Sequence, residues 1–172
     1  DAPEFLHRLL ANRVLDQAVD ATAPNMLLTP QGKVRFLFDM RRTPEGFELS
    51  TAPGDAPRLV EALDMFLFAE ALELLDVSDE HAPLCVLGPR GADLLATVLG
   101  SPPPTELGAT RTDKVDGLAL RVARIERFGS PAWRLDAGPD GVEALWKALA
   151  AAGAQPAGRV VSDSLRVEAC AA

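Results

Sequence analysis

From Met26 to Thr51 the chain reads as a β region folded twice on itself, and this stretch constrains the fold more than any other. Met26-Leu27-Leu28-Thr29 runs into Pro30-Gln31-Gly32-Lys33. Proline presets φ and glycine tolerates positive φ, so that tetrapeptide has turn chemistry. Beyond it Val34, Phe36, Phe38 and Met40 form one apolar face, while Arg35, Leu37, Asp39 and Arg41 form a mixed one. That period of two belongs to a strand. Thr43-Pro44-Glu45-Gly46 turns the chain again into Phe47–Thr51. The expectation is a three-stranded antiparallel meander, which excludes an all-helical fold.

Helical spacing flanks this region. Phe5, Leu6, Leu9 and Leu10 share one face of a helix over Pro3–Asn12, with Asp1 placed to cap it. Residues 16–24 have no period and read as a loop. Leu59, Leu63, Phe66 and Leu67 mark a helix from Ala56 to about Ala71. Glu73–Val77 and Leu84–Leu87 read as short strands. Gly88-Pro89 then opens a helix over Arg90–Leu99, and Ser101-Pro102-Pro103-Pro104 is a rigid break. Leu118–Arg127 and Trp133–Asp136 read as strands joined at Gly129-Ser130-Pro131. Val142, Leu145, Trp146 and Leu149 mark a helix over about Pro139–Ala152, and a last helix starts at Ser162. Helices recurring between antiparallel strand pairs argue an α+β fold with helices packed on the sheets.

Charge narrows the partners. Acidic side chains outnumber basic ones 25 to 17, and residues 51–110 hold 10 acids against 2 bases, so the −8 excess is concentrated there. Tight non-specific nucleic-acid binding needs a basic footprint that releases counterions, so any direct nucleic-acid contact is expected to be weak at physiological salt. No apolar run approaches the roughly 20 residues that span a bilayer, so no membrane integration is expected. Two cysteines, Cys85 and Cys170, do not make a disulfide framework, and a reducing compartment, the cytoplasm, is the expected location.

No strong catalytic motif is present: there is no phosphate-binding Gly-x-x-x-x-Gly-Lys loop, no Gly-x-Ser-x-Gly elbow and no Cys-x-x-Cys pair. His81 and Cys85 lie four apart, but Pro83 interrupts them and two ligands do not close a zinc site. They read as a loop histidine and a buried thiol. His7 reads as a helix residue outside catalysis. Cys170 has Arg166 one turn earlier as its only visible cation, too little to mark a reactive thiol. The mixed face Arg35/Leu37/Asp39/Arg41 is either simply solvated or lines a pocket for an anionic ligand; spacing leaves both open.

Four segments in order carry a resemblance. Phe5-Leu6-His7-Arg8-Leu9-Leu10-Ala11-Asn12 is similar to the first helix of the aminomethyltransferase-like folate-binding superfamily. Asn25-Met26-Leu27-Leu28-Thr29-Pro30-Gln31-Gly32-Lys33-Val34 resembles its hairpin, and Thr-Pro-Gln-Gly-Lys is especially like the YgfZ branch. Leu75-Asp76-Val77-Ser78-Asp79 followed by Leu87-Gly88-Pro89-Arg90 is similar to two further steps. Ala157-Gly158 with Asp163-Ser164-Leu165-Arg166-Val167-Glu168-Ala169 resembles a helix start near the end. Together they cover nearly the whole chain. The resemblance implies ferredoxin-like-type antiparallel sheets with packed helices around a folate pocket, in two interleaved subdomains, about 1–50 with 156–172 and about 51–155.

The resemblance also implies ligand and role. A tetrahydrofolate-type cofactor is expected, held by a pocket that includes Asn25, Arg35, Leu37, Asp39 and Arg166, with Arg166 offered to a carboxylate of the ligand. YgfZ-like members are implied to support iron–sulfur cluster maintenance and tRNA modification, whereas the glycine-cleavage branch transfers an aminomethyl group to tetrahydrofolate. The departures weigh against transfer chemistry. Counting from Gly32, the transferase carboxylate falls on Leu37, and Asp39 stands two residues on. The branch's Gly-Tyr-x-Gly-Glu loop falls near Phe128-Gly129-Ser130, with no acid after it. Pro24 replaces an aromatic, Ser162 an arginine and Cys170 a glycine. The Lys-Gly-Cys-Tyr-x-Gly-Gln-Glu signature and the C-terminal β-barrel are absent from this sequence. The expectation is therefore a YgfZ-like folate-binding-fold protein, incomplete, with no catalytic residue or metal ligand of its own. Surface normally covered in the family is expected to favour self-association. The alternatives are a tetrahydrofolate-dependent aminomethyltransferase and a non-catalytic interaction domain of the same fold.

Overall fold

The computed structural model describes residues 1–115 and 117–169; Cys170 and its expected thiol environment lie outside them. The chain forms two compact units, Asp1–Ser78 and Asp79–Ala172. The α+β architecture expected from the sequence is present: five helices and two wholly antiparallel sheets, with no closed barrel among the described residues.

In the first unit, α1 (Ala2–Leu9) precedes β1 (Thr22–Leu28), β2 (Val34–Arg42) and β3 (Phe47–Ser50), and α2 (Ala56–Asp64) comes after them. The three strands lie in the order β1-β2-β3, the expected meander. Phe36, Phe38 and Met40 project from one face of β2 into a core shared with Phe5, Leu6, Leu27, Leu59 and Leu63. Val34 departs from the expected apolar face and is exposed. The register explains this. Leu27 pairs with Phe36 but Leu28 with Val34, so Arg35 is the extra residue of a β-bulge and alternation breaks there.

Further expectations in this unit are corrected. The second helix stops at Asp64 and does not reach Ala71, and Phe66 is exposed rather than part of the core. The chain leaves the helix through tight turns, Phe66 N–H to Leu63 O and Leu67 N–H to Asp64 O. Glu70 anchors the chain beyond those turns. Its Oε2 accepts the N–H groups of Phe68 and Ala69 at 3.1 Å, and Oε1 accepts a 2.5 Å bond from Arg8 of α1. The segment Glu73–Val77 is not a strand. Leu72 and Leu74 pack on the core while Leu75 is exposed, so side-chain alternation is present, but no strand edge pairs with it.

The second unit places β4 (Ala82–Leu87), β5 (Thr110–Val115), β6 (Leu118–Arg127) and β7 (Ser130–Ala137) in the order β4-β7-β6-β5. Helices α3 (Gly91–Leu99) and α4 (Pro139–Ala151) contribute Leu95, Leu145 and Leu149 to a core with Leu120, Val122, Trp133 and Leu135. The last helix, α5 (Arg159–Glu168), starts three residues before the expected Ser162 and buries no side chain fully. Strand β5 has no counterpart among the expected elements. Its Thr-Arg-Thr-Asp-Lys-Val sequence lacks an apolar alternation because it is an edge strand. The β6–β7 turn sits one residue earlier than expected, because Arg127 pairs with Ser130 and Pro131 belongs to the strand. Phe128 and Gly129 carry φ of 54° and 67°, the two-residue hairpin geometry that matches strand twist, and phenylalanine gives no signal for it.

The polyproline break supplies an acceptor. Trp133 is buried, and its indole N–H donates to Pro104 O at 2.8 Å. The start of α3 lies flat on that ring: a Cβ built on Gly91 would stand 2.6 Å from Trp133 Cζ3. Gly91→Ala therefore overpacks the core. It is expected to cost about 1–3 kcal/mol, read as a lowered urea midpoint, while Gly46→Ala, which meets open space, leaves the midpoint nearly unchanged.

Glu70 gives a pH signature. The Arg8 bond first, and the Ala69 and Phe68 N–H groups after it, hold its carboxyl down to about 2 from an ordinary 4.5. A depressed folded-state pKa stabilises above the unfolded value and is lost as pH falls through the folded one. Stability is expected to decline between pH 4.5 and 2, and the decline is expected to be shallower in Glu70→Gln, as read from urea midpoints across that range.

Candidate functional site

The outer face of the first sheet is where the sequence placed a ligand, and the strand register decides what it presents. Leu37 pairs with Met26, Asp39 lies between Pro24 and Ser50, and Arg41 lies between Thr22 and Glu48. Leu37 is 48% exposed and Asp39 is half-buried. The Asp39 carboxylate makes no hydrogen bond or ion pair with any described residue. It is a carboxylate held on a rigid strand with its acceptors uncommitted.

Arg41 is committed elsewhere. Its Nε and Nη2 bind Glu48 at 3.3 and 2.8 Å, a two-point contact, and Nη1 binds Asp20 at 2.6 Å. This guanidinium ties β2 to β3 and to the loop before β1, so it structures the face rather than serving a ligand. Arg35 is turned out of the ladder by the bulge, and its guanidinium lies 5.6 Å from the centre of the Phe36 ring.

Asn25 lies on the opposite side of the sheet. It pairs in register with the core residue Phe38 and is 1% exposed. Its Oδ1 accepts the N–H groups of Asn12 at 3.0 Å and Met26 at 2.8 Å. The side chain thus satisfies the outer edge of β1 and pins the chain leaving α1. Arg166 belongs to the second unit, on α5, exposed and 4.0 Å from Asp163. The first unit therefore brings Leu37 and Asp39 together on one face, leaves Arg35 at the bulge over the Phe36 ring and turns Asn25 inward.

The remaining candidates have structural partners. His7 Nδ1 accepts the Val14 N–H at 3.4 Å. His81 Nδ1 lies 3.1 Å from Asp136 Oδ1. Cys85 is exposed, not the buried thiol expected from the sequence, because its side of β4 faces away from α3 and α4. Asp136 gathers a polar cluster that sequence reasoning missed. It is 7% exposed and takes Arg121 at 2.6 Å and Arg134 at 3.8 Å besides His81. Cross-strand pairing puts Arg121, its shortest ion-pair partner, beside Asp136, and no spacing along the chain signals that pairing. Among the described residues no group of three His, Cys, Asp or Glu is placed to hold a metal ion. Among them also, no helix is long and apolar enough to cross a membrane.

The sequence and the fold match a known family. The GCVT N-terminal domain profile matches residues 1–172. An aminomethyltransferase of Stenotrophomonas maltophilia K279a is 31% identical over 176 residues, covering 96% of this chain and 46% of its own. An aminomethyltransferase of Saccharopolyspora erythraea is 35% identical over 99 residues, covering 55% of this chain and 27% of its own. The crystal structure of glycine cleavage system aminomethyltransferase T from Bartonella henselae superposes with a TM-score of 0.83 at 20% identity, over 99% of this chain and 46% of that one. The chain belongs to the GCVT N-terminal domain family, and it spans about half the length, or less, of the curated relatives it matches.

Asn25→Ala separates a structural role from a binding one. It strands two backbone donors, which costs about 1–3 kcal/mol each. A clear drop in thermal stability is expected, whereas Asp39→Asn, which loses no protein partner, is expected to leave stability unchanged.

Proposed function

We propose that this chain is a YgfZ-like folate-binding-fold protein that binds tetrahydrofolate-type ligands weakly and does not itself catalyse aminomethyl transfer. The observation that carries the reading is Leu37. Counting from Gly32, the resemblance puts it where the transferase branch has a carboxylate, and its side chain is 48% exposed. Leucine neither accepts a proton nor hydrogen-bonds a pterin or a reacting nitrogen. Losing one charged hydrogen bond costs about 1.5–3 kcal/mol, roughly ten- to hundredfold in affinity or rate. Release of an amine also needs a positioned acid or base. Asp39 is the nearest carboxylate on that face, and it stands about 7 Å along the strand at roughly 3.3 Å per residue.

The role that fits is support of iron–sulfur cluster maintenance or tRNA modification in the cytoplasm, with folate as the small-molecule partner. The acid-rich segment 51–110 argues against a tight direct tRNA complex. Exposed Met65, Phe68 and Leu75 favour self-association. A second reading, an aminomethyltransferase, is favoured by the names of the relatives and by the uncommitted carboxylate of Asp39.

Calorimetry with tetrahydrofolate on the parent chain, Asp39→Asn and Arg166→Ala tests both, alongside an aminomethyl-transfer assay. The expected outcome is binding weaker than micromolar, further weakened in Arg166→Ala, with no transfer. Micromolar binding abolished by Asp39→Asn would show that the carboxylate had moved two residues along the strand, and would favour the transferase reading.

A further inference from the structure

The arginines of the first unit divide unevenly. Arg8 pairs with Glu70, Arg13 with Asp16, Arg41 with Asp20 and Glu48, and Arg58 with Asp55. Arg42 donates to the carbonyls of Leu15 and Gln17. Arg35 alone has no hydrogen bond or ion pair with a described residue, in a chain where acids outnumber bases 25 to 17.

That guanidinium is nonetheless held in place. The β-bulge releases Arg35 from the strand ladder, and the group stacks 5.6 Å from the centre of the Phe36 ring. Arg58, in the first turn of α2, stacks at 5.6 Å from the same ring. The two guanidinium carbons are therefore no more than about 11 Å apart. Phe36 is buried, so the platform beneath them is rigid. Arg58 gives one Nη1 bond to Asp55 at 2.9 Å, and its Nε and Nη2 make no bond to described residues. Two stacked cations and one carboxylate leave an excess of one positive charge with most donors uncommitted. Guanidinium N–H groups fit carboxylate and phosphate oxygens in planar pairs.

We propose that Arg35 and Arg58, mounted on Phe36, form a binding site for a small oxyanion, a carboxylate or a phosphate group. The site is separate from the Leu37–Asp39 pair, because both of its guanidiniums lie over the ring of Phe36, a residue of the core face. Stacking orders the side chains in advance, so an incoming anion meets donors whose freedom is already reduced. The excess of a single charge suits a small ligand and not a nucleic-acid backbone.

The test uses the full chain labelled with ¹⁵N, following arginine Nε–H resonances on titration with inorganic phosphate and, separately, with γ-linked triglutamate. Saturable shifts of Arg35 and Arg58 together are expected with at least one of the two. Arg35→Gln and Arg58→Gln are each expected to weaken that affinity about tenfold, the loss of one charged hydrogen bond, with thermal stability little changed. Arg13→Gln and Asp39→Asn are expected to leave it as it was. Tighter phosphate binding assigns the site to a phosphate ester, and tighter triglutamate binding assigns it to a carboxylate chain. The proposal is overturned if neither anion gives a saturable shift, if Arg35→Gln leaves affinity unchanged, or if Arg13→Gln weakens binding equally, which marks non-specific charge. Loss of anion binding in Asp39→Asn would overturn the separateness of the site, whereas absence of folate binding alone would bear only on the folate reading.

Discussion

The antiparallel pairing of β1 with β2 is the constraint on which the first unit depends. It aligns Leu27 with Phe36 and Asn25 with Phe38, so one side of the hairpin supplies the floor on which α1 and α2 pack. The same pairing sends Leu37 and Asp39 to the other side. Because side chains alternate with a period of two, a shift of one residue would exchange the faces, burying Asp39 and exposing the phenylalanines. The burial of Phe36, Phe38 and Met40 therefore fixes the candidate site as firmly as it fixes the core. The bulge at Arg35 is the one break in this alternation, and it separates that residue from the rest of the face.

The second unit solves the same problem with a different division of labour. One face of its four-stranded sheet is covered by α3 and α4, with Trp133 at the centre and Gly91 allowing the close approach of α3. The other face carries the Asp136 cluster. A carboxylate this deeply buried is costly unless paired. Arg121 on the neighbouring strand, Arg134 two residues earlier and His81 before β4 supply the pairing. The cluster ties β6 to β7 by charge and reaches the residue before β4 through His81, on the side where α3 and α4 do not lie.

Polar groups in the first unit fall into two kinds. Asn25, Glu70 and Arg41 each satisfy several partners and hold loops in place. Asp39 and Arg35 satisfy none among the described residues and stand on rigid elements. The two occupy different sides of the bulge, which is why the folate reading rests on one and the oxyanion site on the other.

The meander, the helices over Gly91–Leu99 and Pro139–Ala151, and β6 were legible in the sequence because each carries its own period and its own punctuation: Pro30 and Gly32, Gly88 and Pro89, Gly153. The mixed face was legible as a face, since alternation needs no partner to be seen. Tertiary structure decided the rest. Strand β5 has no apolar alternation and exists because β6 offers it an edge. Glu73–Val77 has alternation and fails as a strand because nothing offers one. The second helix ends early in the tight turns at Phe66 and Leu67, with Glu70 holding the chain beyond them, and Phe128 enters a positive-φ turn because Arg127 and Ser130 pair. On the candidate face, the sequence shows four residues of equal standing, and only the fold separates Arg41, bound by Glu48 and Asp20, from Asp39, bound by none of the described residues. Periodicity records which way a side chain points; whether its charge is already neutralised depends on residues brought near it from other parts of the chain.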